Sequence, residues 1–285
     1  MPQLYVEVEI RADSPLVEEL GGVLSQLGFE GCWEDGPTLK CYIRADRWNA
    51  KMADEVKSVT RLMLKTSSSA LPEISTRIIE DQNWNAAWEA TIRPIQITDR
   101  IVIAPTWHTY QPVSGQIVIT IDPKMSFGTG YHETTRLMLR LLERFVRPGM
   151  RIIDIGTGTG VLAIAAVKLG AVAACGVDTD EWSYENALEN IRLNGVEREI
   201  TVKLGAMEAV PQGQFDIVAA NIQRSIIEPM LPEMVVRLAD AGVLLLSGLL
   251  PDDREPMLKS LHSLHLNATL ELQENEWIAL AAQRN

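Results

Sequence analysis

The chain has 285 residues, of which 46% are hydrophobic and 22% charged, and a formal net charge of −12. That composition excludes disordered, collagen-like and fibrous classes, and the length implies one large globular domain or two unequal ones. The acidic balance counts against direct contact with RNA or DNA, which draws on a basic face, and suits a basic protein partner. Three cysteines, Cys32, Cys41 and Cys175, show no Cys-x-x-Cys or Cys/His spacing. They read as small buried hydrophobes in a reducing compartment, so neither disulfides nor a metal site is expected. The opening segment lacks the basic and apolar regions of a secretory signal, and no apolar run approaches the roughly 20 residues of a membrane helix. A cytoplasmic protein with no membrane contact is expected.

Residues 4–10 alternate, with Leu4, Val6, Val8 and Ile10 on one face, which predicts a strand. Ser14-Pro15 opens a helix with Leu16, Leu20, Leu24 and Leu27 as its stripe, and Gly28 ends it. Two short runs flank the turn Asp35-Gly36-Pro37, with Leu39, Cys41 and Ile43 alternating in the second. Met52, Val56, Val59 and Met63 then stand at helical spacing. After the loop Thr66–Ser69, Ile74, Thr76 and Ile78 alternate again. The order β-α-β-β-α-β over residues 1–80 is the ferredoxin-like α+β pattern. Residues 81–92 read as a linker helix whose Trp84 and Trp88 pack on a neighbouring domain.

Residues 93–285 read as a second domain. Strand-like runs at Ile101–Ala104 and Ile117–Ile121 lead to a loop, Asp122–Gly130, and a helix over 132–145. Strands at 151–155, 173–178, 200–204, 215–220 and 242–247 then alternate with helices at 160–169, 181–193 and 223–238. This alternation predicts a doubly wound, mostly parallel sheet. Residues 264–272 and 276–283, joined by Gln273-Glu-Asn, predict an antiparallel hairpin that closes it.

The strongest chemical signal is Ile152-Ile153-Asp154-Ile155-Gly156-Thr157-Gly158-Thr159-Gly160. An apolar strand ends in an acid and runs through a glycine-rich turn into a helix, whose free N–H groups can face a ligand. Asp178, ending the next strand, can take both hydroxyls of a ribose, or be a solvated strand-end acid. Asp180 and Glu181 read as solvated or capping residues. Asn221, at the end of a small apolar strand, either positions a substrate or caps the next helix. His132 at a helix start suits a structural hydrogen bond better than a base. No partner is evident for His108, His262 or His265, and the seven tryptophans suggest an interdomain seam.

These features together resemble a class I S-adenosylmethionine-dependent methyltransferase, whose sheet ends in an antiparallel strand. Asp122-Pro-Lys-Met-Ser-Phe127-Gly128-Thr129-Gly130-Tyr131-His132-Glu133-Thr134-Thr135 narrows the resemblance to the PrmA family, which methylates the eleventh protein of the large ribosomal subunit. Asp81–Trp88 with Arg93-Pro94-Ile95, Ala219-Ala220-Asn221-Ile222, and the order of a ferredoxin-like recognition domain before a catalytic one are also similar to it. The resemblance covers essentially the whole chain. It implies S-adenosyl-L-methionine contacts at Thr135, Gly156, Asp178 and Asn221, with Phe127, Gly128 and Gly158 beside them, and Asn221 where the reactive methyl points. It implies N-methylation of lysine or α-amino groups of that ribosomal protein, and a monomer is expected. Tyr131, Glu133, Thr157, Gln223 and Arg224 depart from the family pattern, the last two beside the substrate pocket. The alternatives are methylation of another protein, a small molecule or RNA, a nicotinamide-dependent oxidoreductase, and a non-catalytic ribosome-assembly factor.

Overall fold

Val6, Val8 and Ile10 alternate along β1 (Leu4–Arg11), and all three are buried in a core shared with Leu20, Leu24, Leu39, Cys41, Ile43 and Val56. This is one of two compact units into which the chain divides, Met1–Ala90 and Thr91–Asn285. The computed structural model describes residues 4–11, 20, 23–24, 27–35, 38–64, 73–80, 92–122 and 126–284. Ser14-Pro15, Leu16, the Thr66–Ser69 loop and residues 81–91 of the expected linker lie outside them.

In the smaller unit β1 pairs on one side with β3 (Thr38–Arg44) and on the other with β4 (Glu73–Glu80), while β2 (Gly31–Asp35) flanks β3. The order β2-β3-β1-β4, antiparallel throughout, is the ferredoxin-like arrangement. Helix α1 (Ala50–Leu64) lays Met52, Val56, Val59 and Met63 on the core, as their spacing predicts. On the opposite face Glu7 is buried, and its carboxylate accepts from Tyr42 and Arg77 on the two neighbouring strands.

The larger unit opens with β5 (Ile95–Gln96), β6 (Ile101–Ala104) and β7 (Ile117–Thr120); the last two match the expected runs, whereas β5 and the grouping of all three in a separate sheet were not foreseen. Helix α2 (Glu133–Phe145) follows, then β8 (Arg151–Ile155), α3 (Val161–Lys168), β9 (Ala173–Asp178), α4 (Glu181–Asn194) and β10 (Ile200–Leu204). The chain continues through β11 (Phe215–Asn221), α5 (Arg224–Arg237), β12 (Leu238–Leu249), α6 (Arg254–Ser263), β13 (Leu266–Glu274) and β14 (Trp277–Arg284). The sheet order is β10-β9-β8-β11-β12-β14-β13, with β14 antiparallel to both neighbours and β10 through β12 parallel.

Three readings are corrected. Strand β12 starts directly after α5, four residues before the expected 242, because Leu238 pairs with Phe215 across a bulge. Helix α6 was not anticipated, although Met257 and Leu261 mark its buried face. The hairpin turn falls at Asn275-Glu276, two residues late. The strand order reverses between the parallel strands β8 and β11, which opens a crevice at their carboxyl ends.

Candidate active site at the sheet switch point

Past β8 the backbone turns sharply, and the N–H groups of Gly156 and Thr157 both donate to Val177 O (2.9 and 3.0 Å). The Gly158 N–H donates to Asp178 Oδ2 (2.9 Å), and the Asp180 N–H to Oδ1 (3.0 Å). The carboxylate of Asp178 is therefore fixed by one backbone donor on each oxygen. Each oxygen keeps a lone pair for a hydroxyl. Asp180 caps α4 through Ser183 N–H, as expected. Behind the loop, Thr157 donates to the buried carboxyl of Asp154 (2.7 Å), which burial lifts to a pKa of about 6.

Residues 126–130 lie over this turn. Gly158 has φ +54, and a Cβ there would sit 2.4 Å from Phe127 O, so only glycine allows the two segments to touch. Thr159 seals the contact by donating its N–H to Phe127 O and its hydroxyl to Gly128 O (both 2.9 Å). The segment is anchored upstream by α4. Asn194 exchanges hydrogen bonds with Thr120, Asn190 Oδ1 accepts from Asp122 N–H, and Asn186 donates to Asp122 O. Asn190 also donates to Thr159 O, tying both loops to one helix.

The crevice is a cleft of about 510 Å³, a size suited to a nucleoside-bearing ligand. Phe127, Gly156, Gly158, Asp178 and Asn221 line it. Thr135 and Gly128 do not. Thr135 is fully buried in the first turn of α2 with its hydroxyl unpartnered, and its neighbour Thr134 faces the cleft instead. Asn221 caps nothing: Gln223 holds the N-cap position of α5, and Asn221 Oδ1 is buried without a partner. A partnerless buried oxygen in a cleft is costly unless a ligand donor meets it.

His132 is the N-cap of α2. Its Nδ1 faces the first turn, 3.2 Å from the Thr134 N–H that it caps and 2.8 Å from the Thr134 hydroxyl. His108, for which no partner was foreseen, lies 2.8 Å from an Arg93 guanidinium nitrogen. Among the described residues no group of three His, Cys, Asp or Glu could hold a metal, and no helix is long and apolar enough to cross a membrane.

The departures named above fall in different places. Tyr131 OH bonds both the N–H and the carbonyl of Arg93. Glu133 accepts from Asn275 (2.9 Å), at the tip of the terminal hairpin. Thr157 is the donor to Asp154. Arg224 is held by Asp253 (2.7 Å) and Glu228 (2.9 Å), outside the cleft, whereas Gln223 lines it. The sequence reading missed three walls: Gly205-Ala206 after β10, Ile226 and Met230 on α5, and Trp277 at the start of β14. Only Gly205-Ala206 carried a local signal, a glycine directly after a strand.

The family model for ribosomal protein L11 methyltransferase (PrmA) matches residues 6–285. A ribosomal protein L11 methyltransferase of Chlorobaculum tepidum is 41% identical, with 99% of this chain and 97% of that protein aligned. One from Listeria innocua is 32% identical over 98% of each. The crystal structure of a ribosomal protein L11 methylase from Lactobacillus delbrueckii subsp. bulgaricus superposes with a TM-score of 0.64 at 32% identity, covering 68% of this chain and all of that one. The resemblance read from residues 122–135 holds along the chain, and the protein belongs to the ribosomal protein L11 methyltransferase (PrmA) family.

Proposed function

We propose that the chain transfers methyl groups from S-adenosyl-L-methionine to lysine or α-amino groups of large-subunit ribosomal protein L11, in the cytoplasm and as a monomer. The observation that carries this reading is the buried, partnerless Asn221 Oδ1 in the cleft, across β8 from the ribose-ready Asp178. The residues fit the cofactor. Asp178 takes the ribose hydroxyls, Gly156 and Gly158 admit the methionine portion against the backbone, and the first turn of α2, at Thr134 and Thr135, turns the positive end of the helix dipole toward a carboxylate. Phe127 lies alongside. When bound, the cofactor supplies an electrophilic sulfonium methyl group.

The protein's share is alignment and exclusion of water. Asn221 Oδ1 accepts an N–H of the incoming amine and so turns the nitrogen lone pair away from itself. The amine arrives deprotonated, a larger step for lysine (pKa about 10.4) than for an α-amine (about 7.7–8.0). Among the described residues, Asp178 is the one carboxylate on the wall, and His132 Nδ1 is engaged in its cap.

The smaller unit is assigned the grip on the substrate protein. The test is purified L11 incubated with enzyme and isotope-labelled cofactor, with the methylated residues mapped by mass spectrometry, for the whole chain and for residues 93–285. Label on amines of L11, lost with the truncated chain through weaker substrate binding, is the expected result. Equal methylation by both would remove the smaller unit from recognition. Label on RNA or a small molecule alone would overturn the substrate assignment.

A further inference from the structure

We propose that Cys32 and Cys41 form a redox-modification site: exchange with a small-molecule disulfide closes the two thiols into a reversible cross-strand bridge, and the bridge weakens the grip of the smaller unit on its protein substrate. The bridge stands on the fold alone, and its consequence rests on the recognition role proposed above.

Nothing in their spacing pairs these cysteines; the register of the sheet does. Strands β2 and β3 run antiparallel with Cys32 directly opposite Cys41. Opposite residues share a face, and their Cα atoms stand about 4.5 or 5.5 Å apart according to the hydrogen-bonding pattern. Both distances fall inside the roughly 4.4–6.8 Å that disulfides span, and the Cβ atoms need drawing in by only about 1 Å. The two side chains already meet, since Cys41 shares a hydrogen bond with Cys32, and both are thiols in this structure.

The two thiols differ in freedom. Cys41 is fully buried and has Val8, also fully buried, opposite it on the other side. Cys32 is only partly buried, on the outer strand of the order β2-β3-β1-β4. The adjacent Cys32 and then burial hold the Cys41 thiol above its usual pKa, so the exchange starts from the thiolate of Cys32. That sulfur bonds to one sulfur of the reagent, the reagent's S–S bond breaks, and one thiolate leaves. The Cys41 sulfur then bonds to the Cys32 sulfur of the mixed disulfide, and the second thiolate leaves. Two electrons pass to the reagent, whose halves depart as thiols with the two protein protons. A bridge that must pull two strands together is strained, and strained disulfides reopen readily in excess thiol. Drawing β2 inward alters the outer edge of the smaller unit, whereas the cofactor residues belong to the larger one.

Cys175 is a built-in control: it is buried, but Ile153 and Thr201 stand opposite it on the neighbouring strands. The reduced full-length enzyme is incubated with oxidised glutathione, the remaining thiols are blocked with iodoacetamide, and a tryptic digest is analysed by mass spectrometry. Cleavage after Lys40 separates the two cysteines, so the bridge joins peptide 12–40 to peptide 41–44. That species is expected, removed by dithiothreitol, with Cys175 blocked as a thiol throughout. The bridged enzyme should show kcat/KM for L11 lower by at least about threefold, with S-adenosylhomocysteine affinity unchanged and full recovery on reduction. Cys32→Ser and Cys32→Ala, at the partly exposed position, should lose no activity in oxidised glutathione and leave the buried Cys41 in place. Glutathione held on Cys32 without a bridge, or the same oxidative loss in the Cys32 variants, overturns the site. A bridge with undiminished L11 methylation overturns its consequence for recognition. A bridge formed in an enzyme that leaves L11 unlabelled upholds the site and refutes the substrate assignment.

Discussion

Gly248→Ala tests how the acceptor side of the cleft is held. Gly248 has φ +80, and an added Cβ would lie 2.4 Å from Ile222 O and 2.7 Å from Ile222 C. Both are backbone atoms, so no flexible tip can yield. Ile222 cannot retreat either, because its Cγ2 already occupies the space 2.6 Å from where a Gly156 Cβ would stand. The left-handed backbone costs a non-glycine residue about 1–2 kcal/mol. Overlap in a packed site adds about 1–3 kcal/mol. The variant should lose roughly 2–5 kcal/mol, a large part of the ~5–15 kcal/mol that stabilises a typical domain. Displacing Ile222 also moves Asn221 beside it, and a shift near 1 Å at a reacting centre is worth about a hundredfold in rate. Gly149→Ala is the control, with φ +87 but nothing within 4 Å. Urea denaturation should place Gly149→Ala about 1–2 kcal/mol below wild type with turnover intact, and Gly248→Ala further down with turnover reduced at least tenfold. If the two variants match in both stability and turnover, the wedging of Ile222 between two glycines has no consequence and the reasoning fails.

Asp178→Ala should weaken S-adenosylhomocysteine binding by about 1.5–3 kcal/mol, the worth of hydrogen bonds to a charged group; unchanged affinity in a calorimetric titration would put the ribose elsewhere. Asn221→Ala should lower kcat more than it lowers cofactor affinity. The opposite pattern, weak binding with full turnover at saturation, would make Asn221 a cofactor ligand alone. Burial raises the Asp154 carboxyl from its usual 3.8 to about 6. The folded chain therefore favours the protonated form: its advantage is complete below pH 3.8 and is lost as pH rises through 6. The whole effect is about 3 kcal/mol, roughly half of it between pH 5 and 8. The unfolding free energy of wild type should accordingly fall relative to Asp154→Asn across that range, and a flat difference would show that the carboxyl is not desolvated.

What the sequence revealed and what it hid divide along a physical line. Residues 151–221 were legible because each strand is a short apolar run and each turn carries its own glycine or acid, so the pattern is local. Thr135 and Thr134 illustrate the limit of spacing: adjacent helical positions differ by about 100°, and the phase of α2, set by its packing, turns Thr134 to the cleft and buries Thr135. Asn186, Asn190 and Asn194 recur every fourth residue, yet read only as polar positions of a helix. Their role is to serve as hydrogen-bonding mates for the backbone of β7 and of two loops, and nothing in the periodicity of α4 reports a partner some 70 residues upstream. Trp277 was invisible for the same reason, since only the pairing of β14 beside β12 carries it to the site.

That pairing also bears on the five positions read from the sequence as departures from the family pattern. The hairpin tip that presents Trp277 is fastened to the helix that presents His132. Glu274 accepts from Arg136 and Arg140 of α2, with Arg136 only 15% exposed, and Asn275 donates to Glu133. An ion pair shielded to this degree is held more firmly than a surface pair, because water competes less for it. Glu133 is therefore part of the clamp between two ring-bearing elements, and Tyr131 extends it by bonding both backbone groups of Arg93. Thr157 lies behind the glycine turn, and Arg224 is neutralised by two carboxylates on the outer side of α5. Of the five positions, Gln223 alone adds a side chain to the cleft wall, and that side chain does not cap its own helix. Of these five, Gln223, two residues beyond Asn221, is therefore the position whose replacement by alanine tests for an influence on the choice of target.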